Sequence, residues 1–159
     1  MKLSDGVEWA LHCATSLAQL EPGETATSAM LATYFDVPPA YLAKQLQSLV
    51  RAGILVGATG PRGGFRLARA PEKITMLQIV EAIDGGSPPF RCQEIRQRGK
   101  GALPAHQCVR ACVIAAKMAE ANRAWRASLK GVTLADLVDT LPRSAPARTR
   151  NLLARSQES

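Results

Sequence analysis

The stretch AYLAKQLQSLVRAGILVGATGPRGGFRLARA, residues 40–70, changes its hydrophobic period halfway along. Up to Arg51 the apolar side chains Leu42, Leu46, Leu49 and Val50 recur at helical spacing, with Tyr41, Lys44, Gln45 and Gln47 as the polar set between them. Past Gly53 two short strand-like runs, ILVG and FRLA, flank the glycine-rich link ATGPRGG. That pattern reads as a β-hairpin with a basic tip.

The flanking residues extend the pattern on both sides. Upstream, Leu3, Val7, Ala10, Leu11, Ala14, Leu17 and Ala18 form one helical stripe, which EPGE at 21–24 ends. SAMLATYF is a second short helix capped by Thr27 or Ser28, and DVPP at 36–39 is a turn that puts Pro39 at the first position of the third helix. Helix, short helix, turn, helix, hairpin is the order of a winged helix–turn–helix. Downstream, ITMLQIVEAID is helical with Thr75 as cap, and a loop-like stretch runs from Gly85 to Gln107. A long alanine-rich helix from about Cys108 to Leu129 and a short one capped by Thr133 follow. The expected class is mainly α with a small β-hairpin. Its divisions are a winged domain over 1–84, a loop over 85–107, dimerisation helices over 108–141 and a flexible basic tail over 142–159.

The whole chain bounds the function. It has 159 residues, 47% of them hydrophobic, enough for a real core. Aromatics make up only 4%, so aliphatic and alanine packing must fill that core. The net charge of +7 suits a polyanionic partner. No apolar run approaches the ~20 residues of a membrane span, so a cytoplasmic protein without membrane contact is expected. No nucleophile–base–orienter set or phosphate loop supports an enzyme.

In the winged reading the third helix enters the major groove. Gln45 then suits adenine, and Lys44 suits guanine or phosphate. Tyr41 lies on the same helix, Ser28 at a helix N-terminus can hold a phosphate, and Arg62 brings charge to the hairpin tip. The long helix is a candidate dimer element, since two-fold symmetry is common among such binders.

Two residue pairs suggest a metal. Cys108 and Cys112 in CVRAC, and Glu8 and His12 in VEWALHC, share a four-residue spacing. On a helix that spacing puts both members on one face, ~5–6 Å apart. Together they offer a soft S,S pair and a harder O,N pair. Zinc could take all four, or a 2Fe–2S cluster one pair on each iron, as mixed ligation in Rieske centres allows. Packing thiols and a solvated Glu8 remain the plain alternatives, His106 is a rival ligand, Cys13 suits packing and Cys92 is ambiguous.

The residues 40–69, followed by ITMLQIVEAIDG, resemble the IscR/NsrR family of winged-helix regulators in their YL helix, their G–GG–aromatic wing and the helix after it. The stretches VEWALHC, AYLAKQ, CQEIRQRG and CVRACVIA are similar to the RsrR-type, redox-sensing branch. The resemblance implies homodimers on palindromic promoter DNA. It also implies a 2Fe–2S cluster held by Glu8 and His12 of one subunit and Cys108 and Cys112 of the other. Trp9 adjoins Glu8 and His12 in sequence, which makes it a candidate relay from such a cluster to the recognition helix, with a core Trp as the plain alternative. A thiol-switch regulator without a cluster, or an iron–sulfur electron carrier that binds no DNA, are the alternatives.

Overall fold

The computed structural model describes residues 3–61 and 63–156. Seven α-helices and one hairpin run in the order α1 (Asp5–Leu17), α2 (Ser28–Phe35), α3 (Pro39–Arg51), β1 (Leu55–Ala58), β2 (Gly64–Leu67), α4 (Met76–Asp84), α5 (Val113–Lys130), α6 (Leu134–Asp139) and α7 (Ala145–Arg155) among the described residues. The chain divides into two compact units. Gly86–Ser128 form one, and the residues up to Gly85 together with those from Leu129 onward form the other.

Local chemistry accounts for most helix starts. Pro39 occupies the first turn of α3, where its missing N–H costs no hydrogen bond. Thr75 caps α4, its Oγ1 accepting from Gln78 N at 3.3 Å while Gln78 Oε1 accepts from Thr75 N at 3.0 Å. Thr133 and Asp136 make the same reciprocal pair at α6. At α2 the cap is Thr27, which accepts from Met30 N at 3.1 Å. Ser28 is therefore the first helical residue.

The core of the larger unit lies where α1, α3 and α4 meet. Leu42, Leu46 and Leu49 of α3, Ala10, Cys13 and Ala14 of α1, and Ile79 of α4 are all fully buried. The hairpin pairs antiparallel, Leu55 opposite Leu67 and Ala58 opposite Gly64. Its turn end is stitched to the segment before α2, because Ala26 and Phe65 exchange both backbone hydrogen bonds (3.1 and 2.8 Å). Gly64 makes this approach possible. Its φ is +143°, and an added Cβ would stand 2.8 Å from the Ala26 backbone.

Two expectations about organisation change. α6 does not belong with the long helix: residues 74–76 and 132–134 form a β-bridge, with Met76 N to Val132 O and Leu134 N to Ile74 O both 2.9 Å, and Leu134 is fully buried. The region 142–159 is not a flexible tail over its described part. Its residues 145–155 form α7, which packs on α2. Thr149 Oγ1 donates to Gln19 Oε1 at 3.0 Å in a buried contact, Arg150 donates to Gln19 O at 3.1 Å and pairs with Glu21 at 3.0 Å, and Leu153 is 1% exposed. The composition of that stretch suggests solvent, but an apolar stripe and a buried polar bond anchor it. The loop over 85–107 holds two short 3₁₀ turns, Ile95–Gln97 and Ala105–Gln107.

α5 differs from the other long helices: none of its residues is buried in the single chain, and Val113, Ile114 and Met118 are exposed. No helix among the described residues is long and apolar enough to cross a membrane.

The tight approach at Gly64 gives the first prediction. Gly64→Ala should lower stability by about 1–3 kcal/mol, through an unfavourable φ and the clash with Ala26. Thermal unfolding and loss of amide-exchange protection at Phe65 would report it; wild-type values for both would show that the turn end of the hairpin tolerates a Cβ.

Candidate functional site

α3 presents a divided surface. Leu42, Leu46 and Leu49 face α1 and α4, while Tyr41, Lys44 and Gln47 are exposed. Gln45 departs from its expected role as a base reader. It is 9% exposed and lies over Gly6 of α1, where an added Cβ would meet its amide carbon at 2.8 Å. The helical phase explains this, since Gln45 sits three residues after Leu42 and one before Leu46. The outward set is therefore Tyr41, Lys44 and Gln47. Ser48, partly buried, accepts from Arg51 at 2.8 Å, which steers that guanidinium along the helix. Ser28 is half-buried in the first turn of α2, among backbone N–H groups without intrahelical partners. Arg62 lies outside the described residues.

On α1, the buried stripe of Val7, Ala10, Cys13, Ala14 and Leu17 leaves Glu8 and His12 on the outer face. Both are exposed and line a shallow groove with Leu3, Val7 and Leu11. The His12 ring is 5.7 Å from that of Phe35, centroid to centroid. Trp9, half-buried against the core, meets Tyr41 of α3 edge-to-face at 6.0 Å and 81°. Trp9 thus links α1 to Tyr41 of α3.

In the Gly86–Ser128 unit the two thiols are half-buried and unbridged. They do not share a helix face as the spacing suggests, because α5 starts only at Val113. Cys108 closes the 3₁₀ turn Ala105–Gln107, its N donating to Ala105 O at 2.9 Å. Cys112 immediately precedes α5, its carbonyl accepting from Ala116 N at 2.9 Å. The backbone N–H groups of Ala115 and then Ile114 point at its thiol and lower its pKa, with a smaller contribution from the Arg96 charge. A thiol at a helix N-terminus is expected to favour the thiolate, the form that binds metals and attacks disulfides.

Arg96 is a residue that motif reading does not find. Its Nε bonds Glu94 at 2.5 Å and one Nη bonds Glu94 at 2.8 Å and the Arg110 carbonyl at 3.1 Å. It therefore ties the segment after Cys92 to the segment between Cys108 and Cys112. The Glu94 hydrogen bond holds Arg96 firmly protonated, and Arg96 in turn pulls the Glu94 carboxyl below its usual range.

Of the other candidates, Cys13 is buried, and desolvation pushes its thiol up to about 12. Cys92 and His106 are exposed. Among the described residues, no three His, Cys, Asp or Glu side chains converge as a metal group within one chain.

A family model described as "Rrf2: Iron-dependent Transcriptional regulator" matches residues 3–140. The chain belongs to the Rrf2 family. It is 32% identical over 139 residues to YffB of Lactococcus lactis, named as an HTH-type transcriptional regulator, covering 87% of this chain and 88% of that one. It is 31% identical over 121 residues to the HTH-type transcriptional regulator IscR of Cereibacter sphaeroides, covering 67% and 78% of the two chains. The solved structure of CymR (YrzC), the global cysteine regulator of B. subtilis, superposes with a TM-score of 0.72 at 20% identity, covering 89% of this chain and 99% of that one. The Rrf2 assignment and this superposition agree with the helix–turn–helix and hairpin found here: the protein is an Rrf2-family transcription regulator with a winged-helix fold.

The thiol environments give the second prediction. In metal-free native protein, iodoacetamide should label Cys92 and spare Cys13 until the chain unfolds. Cys112 in a variant lacking the other thiols should alkylate at lower pH than it does in denaturant, since its pKa is lowered only in the folded state. Coincident pH profiles in the two states would remove the helix N-terminus as the cause.

Proposed function

We propose that this Rrf2 regulator is a homodimer whose promoter binding is set by a 2Fe–2S cluster held by Glu8 and His12 of one subunit and Cys108 and Cys112 of the other. The observation that carries this reading is the outer face of α1. There a carboxylate and an imidazole one turn apart stand exposed beside Trp9, which touches the recognition helix through Tyr41. The donor chemistry fits the cluster: two thiols, one already biased toward thiolate, with an oxygen and a nitrogen donor for the second iron. The exposed Val113, Ile114 and Met118 of α5 support a second copy as the partner.

When bound, such a cluster supplies a one-electron change of local charge. The residues of this chain then do the coupling. Glu8 and His12 hold α1 to the cluster, Trp9 carries a change in α1 to Tyr41, and Lys44 and Gln47 stand on the same helix to face DNA. A coupling of ~1–3 kcal/mol is enough for a roughly 5–150-fold change in affinity.

A second reading, a thiol switch without metal, is favoured by one observation, the lowered thiol pKa of Cys112 at the start of α5. Two experiments separate them. Anaerobically purified protein should be coloured, with about two iron and two acid-labile sulfide per subunit; zinc without sulfide would defeat the cluster. Glu8→Ala and His12→Ala should each abolish the colour and the redox response of DNA binding, whereas a response retained in metal-free variants would establish the thiol switch. For the relay, Trp9→Ala should keep the cluster absorption and lose most of the difference in DNA affinity between oxidised and reduced protein. An undiminished difference would take Trp9 out of the path.

A further inference from the structure

The thiols of Cys108 and Cys112 are held by different elements, and no helix or strand joins them. Cys108 hangs on the 3₁₀ turn Ala105–Gln107 through its N–H, 2.9 Å from Ala105 O. Cys112 is anchored by α5, whose Ala116 N donates to the Cys112 carbonyl at 2.9 Å. The residues between them, 109–111, are exposed and belong to no regular element. Two thiols on such a span would sample many separations. The cost of fixing one separation would then fall on the binding of whatever they hold.

The span is pinned from outside, at its middle residue. One Nη of Arg96 donates to the Arg110 carbonyl at 3.1 Å. The guanidinium is itself braced, because its Nε and the same Nη donate to the two carboxylate oxygens of Glu94 at 2.5 and 2.8 Å. The backbone beneath is closed as well: Leu103 N donates to Arg96 O at 2.7 Å and Gln97 N to Glu94 O at 3.1 Å. Glu94 takes a left-handed conformation, φ 49° and ψ 49°, which a residue other than glycine keeps where its surroundings hold it. The guanidinium is a planar, rigid fork, so bracing one edge aims the rest. Its charge also reaches the sulfurs. The Glu94 hydrogen bond is the largest influence keeping Arg96 protonated, and the charges of Glu94, Cys108 and Cys112 add to it. One side chain thus holds the midpoint of the span and stands within electrostatic reach of the thiols at both ends.

We infer that Arg96 is a positioning residue for the thiol pair: braced by Glu94, it pins the Arg110 carbonyl and so presents Cys108 and Cys112 as one preformed two-sulfur chelate for a thiophilic metal centre. The inference rests on reading these two thiols as ligands. Arg96 is not a ligand, since a protonated guanidinium has no acceptor to offer. Its contribution is confined to binding that uses both sulfurs at once, because a single thiol gains nothing from a fixed distance to another. Groups that orient ligands from behind in this way are worth about 10- to 100-fold in metal affinity.

The test is a Cd²⁺ titration of the metal-free, reduced full-length protein, followed by thiolate-to-metal charge-transfer absorption in the ultraviolet. Every chain carries Cys92→Ser, which removes the exposed thiol, and Cys13 is buried. Arg96→Gln should lower Cd²⁺ affinity about 10- to 100-fold in the chain with both Cys108 and Cys112. It should leave affinity unchanged in the Cys108→Ser chain, where Cys112 binds alone. Should circular dichroism show Arg96→Gln to be unfolded, Glu94→Ala takes its place with the same expected contrast, since it removes the brace and keeps the arginine charge. An equal loss in the one-thiol and two-thiol chains would reveal a general effect of charge or folding and overturn the inference. So would no loss in either, or a two-thiol chain that binds Cd²⁺ no more tightly than the Cys108→Ser chain. Colourless wild-type protein without iron and sulfide would instead defeat the cluster reading, and the Cd²⁺ comparison would still decide the role of Arg96.

Discussion

The structure depends on the packing of α1 against α3. Cys13, Ala10 and Ala14 present a flat, small-residue surface to Leu42, Leu46 and Leu49, and Gly6 leaves room for the Gln45 side chain to lie across it. Small residues on one helix let the other approach closely, and close approach fixes both the distance and the rotation of α3 about its axis. Rotation is what decides which side chains of a recognition helix face out. With the leucines held inward, Tyr41, Lys44 and Gln47 have no other direction to take. The same contact fixes α1, and with it the outer face on which Glu8 and His12 stand.

Charge is arranged with a similar economy. The Glu94–Arg96 pair is partly exposed and joined by two hydrogen bonds, and on the surface it would be worth little. Its bond to the Arg110 carbonyl gives it another role, which is to hold two thiol-bearing segments in register in a stretch with little regular structure. On the opposite unit, Arg150 serves as a clamp and not as free charge. The net charge of the chain therefore overstates the positive surface available to a polyanion, and the location of each arginine matters more than the sum.

The elements with local signals were legible in the sequence. Pro39, Thr75 and Thr133 mark helix starts by chemistry that acts within four residues, and the hairpin is announced by its glycines and the change of period. Elements decided by distant contacts were not. The stretch from Pro142 is rich in Pro, Arg and Ser, and nothing nearby shows that Thr149 will find Gln19, 130 positions earlier. Gln45 could have been placed correctly from the leucine phase alone, but its chemistry suggests a base reader more loudly than its position suggests burial. The spacing of Cys108 and Cys112 presupposed a helix that begins only at Val113; a pair spacing has meaning only inside the element that contains it. Glu8 and His12 are exposed on one face of α1, as the spacing implies.

The β-bridge between Thr75 and Thr133 has a consequence for how the protein is made. The DNA-binding unit is discontinuous: its last core residues, Leu134 and Leu153, come after the thiol-bearing unit in the chain. During synthesis from the N-terminus, the segment with Cys92, Cys108 and Cys112 leaves the ribosome before the unit that it interrupts can close. The order of translation thus exposes the cysteine region to solvent while the core of the larger unit still lacks Leu134 and Leu153.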